Sequence, residues 1–531
     1  MKQLVKSSKN QQKVHFHYRD AFKLCIIVIL LLGVLFRVVK LDHKFYWEDE
    51  VRTSLRISGY TETEVIQQVY DHHIIPVESL DKYKFPHPET RLTDTVQVLM
   101  THPEHPPLYY LMAHVWVKVW MRWFDHPVLV IRSLSFLISL IAFPSIYWLC
   151  LELFKSRLSA WIAVALVAIS PLHIVYAQEA RQYSLWTVAI LLSSAALLRA
   201  IRMNTKISWG VYTATLIMGL YSHLLFGLVA IAQGIYVIIT QGFHFKKTVT
   251  CYLKSTLIGA LSFLPWTWAI ITYSFQLNKT MTSLQTEASL SRLINQWFRN
   301  INRVFFNSDL GSANIILILL VIYALYFLWR NTPKQVWLFI VILVGLPALV
   351  LMLPDMIVGG SRSTRLRYLI PSYLGIQIAF AYLFATQMAA ISTWKQRLWR
   401  IGAIAIISGG VIGCAVSFPR EVTWSMDDNS EYYIKIGQVI NQVTHPLVVS
   451  DASPIQFLIL SYRLEPKTWL QPITQHRKPT NDNNFSHVFF FKHSQDDLSM
   501  VLEKSNYPGH LVVQRKKLYL WEQVKYYNQL K

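Results

Sequence analysis

In a largely apolar sequence, a few charged and polar side chains stand where they have no evident structural reason to be. Directly after Phe45-Tyr46-Trp47 come Glu48, Asp49 and Glu50. A carboxylate partly desolvated by aromatic rings has a raised pKa and can take a proton from an attacking hydroxyl or amine, so Asp49 and Glu50 are general-base candidates. Acids also favour the first turn of a helix, and the same pair reads as helix-start residues. Further on, His102, Glu104 and His105 lie close together in His102-Pro103-Glu104-His105-Pro106-Pro107-Leu108. They could ligate a divalent metal or, equally, cap a proline-stiffened loop.

Three more outliers follow. Gln178-Glu179-Ala180-Arg181-Gln182-Tyr183 contains the only charges between Arg157 and Arg199. Ionisable groups at membrane depth are functional candidates by default, although Glu179 and Arg181 could simply neutralise one another. His223 stands at the turn within a long apolar run, where a hydrogen-bonded packing role competes with a functional one. Arg362, Arg365, Arg367 and Tyr368 make a basic group ahead of another apolar run. Guanidinium forks match phosphate oxygens bidentately, whether those belong to a substrate or to lipid headgroups.

The elements that must carry these residues are membrane spans. The chain has 531 residues, 53% hydrophobic and only 15% charged, against about a quarter charged in soluble domains. Uncharged stretches recur at Ser133–Leu151, Leu158–Gln178, Gln182–Leu198, Ile207–Phe245, Ser255–Asn278, Leu310–Trp329, Gln335–Pro354, Tyr368–Trp394 and Ile401–Pro419. Each approaches or exceeds the roughly 20 residues that cross the hydrocarbon core. Ile207–Phe245 allows two crossings with a turn near His223, and Leu24–Phe36, flanked by Lys23 and Arg37 free to snorkel, supplies the first. About eleven spans result. With no small-x-small cleavage site after it, the first reads as an uncleaved anchor. Cys25, Cys150, Cys251 and Cys414 all lie in or beside apolar spans and read as small packing residues.

Charge orients the chain. The net charge of +21 is spread over clusters at Lys2–Lys23, Lys155–Arg157, Arg199–Lys206, Lys246–Lys254, Arg330–Lys334 and Lys395–Arg400. With residues 1–20 in the cytoplasm, every cluster falls in a cytoplasmic connection, as the positive-inside rule requires, and no nucleic-acid partner is needed. The same rule makes Leu108–Phe124, which carries His114, Lys118 and Arg122, an interfacial helix in an outer loop from Leu41 to Pro127 rather than a span. All the outliers then share the outer face. The expected architecture is an all-α polytopic membrane domain over residues 21–418, followed by a small extracytoplasmic α/β domain over 419–531. In that domain His445–Ser450, Ser486–Lys492 and Lys517–Trp521 read as strands, and Tyr432–Gln442, Pro454–Tyr462 and Gln495–Ser505 as helices.

Taken in order, these motifs resemble the GT-C membrane glycosyltransferases, in the branch of protein O-mannosyltransferases and lipid A aminoarabinose transferases. The resemblance rests on Trp47-Glu48-Asp49-Glu50, His105–Leu108, Arg132–Ser135, Ser170-Pro171 with Gln178–Leu185, Tyr221–His223 and Arg367–Pro371. It covers roughly residues 20–390. It implies inverting transfer of a sugar from a polyprenyl-phosphate-linked donor to a glycan, glycolipid or protein acceptor at the outer face of the cell membrane. Asp49 would be the base and Glu50 its helper, with Arg365, Arg367 and Tyr368 on the donor phosphate. His105, Glu179, Arg181 and Tyr183 would line the pocket. A divalent metal is left open, with Glu50, His102, His105 and His223 as its available ligands. The tail departs from that of the protein mannosyltransferases. A transporter or lipid flippase is the competing reading; it calls for internal repeats and discontinuous mid-membrane helices, and neither is visible in the sequence.

Overall fold

The computed structural model describes residues 21–71, 73–242, 247–274, 288–307, 311, 314–389, 393–474, 485, 487–492, 509–515 and 518–523. The N-terminal segment 1–20, the expected helix Gln495–Ser505 and the end of the expected span Ser255–Asn278 lie outside these residues. Among them, eight helices are long and apolar enough to cross a membrane: Ala21–Val38, Pro127–Phe154, Tyr183–Met203, Lys247–Thr272, Asn314–Asn331, Lys334–Ile357, Leu366–Ala389 and Trp394–Ser417. Lys206–Ser222 and Phe226–Gln241 form the hairpin expected within Ile207–Phe245, with His223 at the break. The architecture is polytopic and helical, with one small sheet.

The expected span Leu158–Gln178 is not continuous. Arg157–Ala168 and Pro171–Ala177 are separate helices bent by 58°. Ser170 is extended and Pro171, which lacks an N–H, opens the second helix. A second correction concerns Arg37. It does not snorkel but is 1% exposed. Its Nη1 donates to Gly33 O at 2.7 Å and to Ala168 O, and its Nη2 to Val167 O at 2.9 Å. The guanidinium thus serves carbonyls at the broken end of Arg157–Ala168, which lipid could not satisfy. Gly33 makes the approach possible, since a Cβ there would fall 2.6 Å from Ala168 O.

By its contacts the chain divides into two units. The first comprises the described parts of Met1–Leu41, His102–Leu108 and Arg132–Pro419. Its two innermost spans are Leu366–Ala389 and Tyr183–Met203, with 89% and 78% of the spanning window buried, against 22% for Ala21–Val38. These enclosed helices begin at the two motifs richest in candidate residues, Arg365–Tyr368 and Gln178–Tyr183. The first unit also contains a helix absent from the sequence expectation, Leu290–Phe305, between Lys247–Thr272 and Asn314–Asn331.

The second unit gathers Asp42–Thr101, Tyr109–Ile131 and the described parts of Arg420–Lys531. Its six strands are β1 (Ile75–Pro76), β2 (Pro446–Ser450), β3 (Trp469–Pro472), β4 (His487–Lys492), β5 (Gly509–Arg515) and β6 (Leu518–Gln523), in spatial order β1-β3-β2-β4-β6-β5. Three of these, β1, β3 and β5, are strands the sequence reading did not expect. Central β2 pairs in parallel with β3 and β4 and is buried along its whole length, because both faces are covered. Leu447, Val449, Val488 and Phe490 pack one face. The helix Ser430–Asn441 buries Tyr433, Ile436 and Ile440 at helical spacing, with Tyr433 5.9 Å from Phe491.

The Leu108–Trp120 helix has 13 residues, about 20 Å of length, too short to cross the hydrocarbon core. Val115, Val119, Trp123 and Phe124 are exposed along and just beyond it, an aromatic and aliphatic strip suited to the membrane interface. His114 turns inward onto Thr95 Oγ1 and Ile57 O, both 2.9 Å from Nδ1, and burial lowers its pKa.

Candidate functional site

In the first unit, the start of Tyr183–Met203 and the loop before Ile370–Ala389 meet. The Arg367 guanidinium lies 5.7 Å from the ring centroids of both Tyr183 and Tyr368. Arg181 approaches the Tyr183 ring at 5.8 Å, and Tyr176 stacks obliquely on it at 4.8 Å. His223 joins from the break between Lys206–Ser222 and Phe226–Gln241, 6.1 Å from Tyr183 and stacked on Trp186 at 4.1 Å. His105 Nδ1 lies 3.4 Å from Gln182 Nε2. Thus His105, Arg181, Tyr183, His223, Arg367 and Tyr368, distant in sequence, form one contiguous group. Glu179 and Arg181 are each 2% exposed. Arg365 is exposed, unlike the half-buried Arg367. Two helix N-termini lie at this group, so their partial positive charge adds to that of the arginines.

The other motif residues build the frame. Gln178 Nε2 donates to Phe36 O at 2.9 Å, and Ser184 Oγ to Tyr176 O at 2.9 Å. Ser170 Oγ donates to Val304 O at 2.7 Å. Arg132 Nη1 donates to Leu41 O at 2.8 Å, and Ser135 Oγ to Arg181 O at 3.4 Å. Trp266 Nε1 holds Pro103 O at 3.1 Å, and Tyr221 Oη donates to Ser262 O at 2.6 Å.

The arginine loop itself is shaped by residues the sequence reading passed over. Buried Asp355 accepts from both the N–H and the hydroxyl of Ser363, each at 2.7 Å. Gly360, at φ +139°, leaves room for it, because a Cβ would fall 2.7 Å from Asp355 Oδ1. From Leu290–Phe305, Trp297 Nε1 donates to Ser363 Oγ at 3.0 Å and Asn300 Nδ2 to Thr364 O at 2.7 Å. A lone acid ahead of a Gly-Gly and three arginines was the available signal.

In the second unit, Glu48, Asp49 and Glu50 form the first turn of the helix Glu48–Ile57. Their backbone place is therefore the helix-start position that acids favour, which does not prevent chemistry there. Glu48 pairs with Arg52 at 2.8 Å, and Arg52 also pairs with Glu62. Burial opposes the Arg52 charge, but Glu62, Glu48 and Asp49 outweigh it and raise its pKa. Glu50 is fully buried. Burial, with Glu50 and Asp81 nearby, raises the pKa of Tyr462, whose ring sits 4.6 Å from that of Tyr46. Within the acidic turn it is Glu50 that is enclosed, near the ring of Tyr462.

For a metal, the nearest donor set is His102 and His105, each with a ring nitrogen 3.7 Å from Glu104 Oε1. Among the described residues no three His, Cys, Asp or Glu side chains converge as a metal would require, so no step is built on one.

No protein-family model matches the chain, and no curated protein does. Solved structures do share its fold. ArnT from Cupriavidus metallidurans, in the apo state, aligns with a TM-score of 0.53 at 10% identity, covering 94% of this chain and 98% of that one. The archaeal oligosaccharyltransferase AglB from Archaeoglobus fulgidus, in complex with an inhibitory peptide and a dolichol-phosphate, aligns at 0.51 and 11% identity, covering 97% and 75%. At such identities the likeness is one of fold. The chain shares the polytopic helical fold of these two proteins, in agreement with the resemblance drawn from the order of its motifs.

Proposed function

We propose that this chain is a membrane glycosyltransferase that moves a sugar from a polyprenyl-phosphate-linked donor to an acceptor at the extracytoplasmic face of the cell membrane. The observation that carries the reading is the group of Arg367, Arg181, Tyr183 and His223 at two helix N-termini of a GT-C fold. A cationic, aromatic-lined end of a membrane bundle suits a phosphate carried on a lipid. The dolichol-phosphate bound to AglB is a ligand of that chemistry in a protein of the same fold.

In the reaction, the acceptor hydroxyl or amine attacks the anomeric carbon as its bond to the phosphate oxygen breaks. The configuration inverts, and the polyprenyl phosphate departs with the bonding electrons. Asp49 takes the acceptor proton and Glu50 supports it. Arg367, with Arg365 and Tyr368, holds the phosphate as its charge grows, the kind of preorganised stabilisation that contributes most when water is excluded. His105, Glu179, Arg181 and Tyr183 shape the surrounding wall. The phosphate is the only part of the donor to which these residues assign a chemistry.

Mass spectrometry of envelope glycans and glycolipids, with and without the gene, tests the reading. A sugar missing from one class of molecule, restored by the wild-type gene, names donor and acceptor together. An unchanged glycan and glycolipid profile would remove the proposal.

A further inference from the structure

The helix Leu290–Phe305 carries Arg292, Arg299 and Arg303. Positions seven and eleven residues on lie within about 20° of the first on a helix of 3.6 residues per turn, so the three guanidinium stems share one face. Asn295, Gln296 and Asn300 flank them. At the protein-facing side Leu293, Val304 and Phe305 are buried. Leu290 and Ile294 are 52% and 36% exposed, on the side of the helix opposite the arginines. One side of the helix therefore offers apolar groups to its surroundings and the other offers cations, as expected of a helix lying at the boundary between hydrocarbon and water.

The cationic surface does not stop at the helix. Trp297 and Asn300 clasp the loop that bears Arg362 and Arg365. The sequence has no Asp or Glu between Glu287 and Asp309, nor between Asp355 and Glu421. Asp355 itself is turned inward onto Ser363. Arg292, Arg299 and Arg365 are exposed. This end of the bundle is opposite to the Lys/Arg-rich connections, so the positive-inside rule gives no reason for it. Arginine rather than lysine is used throughout, the side chain whose fork matches phosphate oxygens.

We propose that the arginine face of Leu290–Phe305 is a docking surface for the phosphate headgroups of anionic phospholipids in the leaflet at that end of the bundle. The exposed Leu290 and Ile294 meet the acyl region while Arg292 and Arg299 bind the phosphodiester. The proposed contacts are those of Arg292 and Arg299 on the helix, not those of the Arg367 group, and they do not depend on the enzymatic reading.

The test uses the full chain in nanodiscs of phosphatidylcholine doped with a photoreactive phosphatidylglycerol, followed by peptide mapping. Label is expected on residues 288–307, competed by unlabelled phosphatidylglycerol but not by phosphatidylcholine or inorganic phosphate. Removing two cations should cut that label roughly tenfold or more in R292Q/R299Q, given the attraction of each basic residue to an anionic leaflet. R292K/R299K should retain most of it, which separates lost charge from misfolding. R397Q/R400Q, altered at the other end of the bundle, should leave it unchanged. Equal labelling by a photoreactive phosphatidylcholine, full competition by inorganic phosphate, or undiminished labelling of R292Q/R299Q would each overturn the proposal.

Discussion

Arg365 and Arg367 are two residues apart and look alike in sequence, yet the structure separates them. Arg367 is half-buried against Tyr183 and Tyr368, whereas Arg365 is exposed. A guanidinium already oriented by aromatic faces loses less entropy on binding phosphate. Arg367→Ala should therefore weaken donor binding by roughly tenfold or more, the worth of a hydrogen bond to a charged group. Arg365→Ala should change it much less, and titration of each variant with a polyprenyl phosphate measures the difference. Equal losses would mean that exposure is a poor guide to the role of these two residues. Asp49→Asn should lower transfer by about a hundredfold or more while the melting temperature stays put, as for other general bases. Retained turnover would remove the assignment. At this scale, two charges that stood out for lacking a topological reason, Arg181 and Arg367, prove to be neighbours of one ring, Tyr183. The sequence misled at Arg37, because proximity to the end of an apolar run says nothing about which way the side chain points.

At the scale of elements, two polar clamps hold the fold where lipid offers no hydrogen bonds. Asp355 closes the arginine loop through Ser363, whose side chain is itself fully buried. Asp355→Ala leaves that N–H and hydroxyl without their acceptor, a loss of about 1–3 kcal/mol. It should also lower affinity for polyprenyl phosphate, with Asp355→Asn recovering part of both. A variant that melts earlier but binds normally would show that the loop does not need Asp355 to present its arginines. Arg37 is the second clamp, and Arg37→Met should cost about 1.5–3 kcal/mol in thermal unfolding through the carbonyls it leaves behind. An unchanged melting temperature would mean that the broken helix end is satisfied without it. The break at Ile169–Ser170 was legible only as Ser-Pro, and hydropathy runs straight through it. It is the kind of discontinuity seen in transporters, but here Arg37 fills the exposed carbonyls and leaves them closed to a substrate. Leu290–Phe305 escaped notice because its arginines and asparagines depress average hydropathy. Its 3.6-residue periodicity would have revealed it. Strand β5 was hidden for a different reason, since Gly509 and His510 open it and a bulge between Leu511 and Val513 breaks its alternation.

For the molecule as a whole, long apolar runs and alternating basic loops were enough to anticipate a polytopic helical bundle, and ordered motifs pointed to the fold it shares with ArnT and AglB. Composition could not reveal that segments far apart in the chain, such as Ile75–Pro76 and Trp469–Pro472, pair in one sheet. Such pairings depend on contacts of high sequence separation, which local pattern does not encode. The central functional claim is that the bundle recognises a phosphate carried on a polyprenyl chain. Its most direct test compares binding of a long-chain polyprenyl phosphate and the corresponding polyprenol to the full chain in neutral nanodiscs. The phosphate should bind at least roughly tenfold more tightly, and Arg367→Ala should abolish that advantage. Equal binding of phosphate and alcohol, or an advantage intact in Arg367→Ala, would contradict the account.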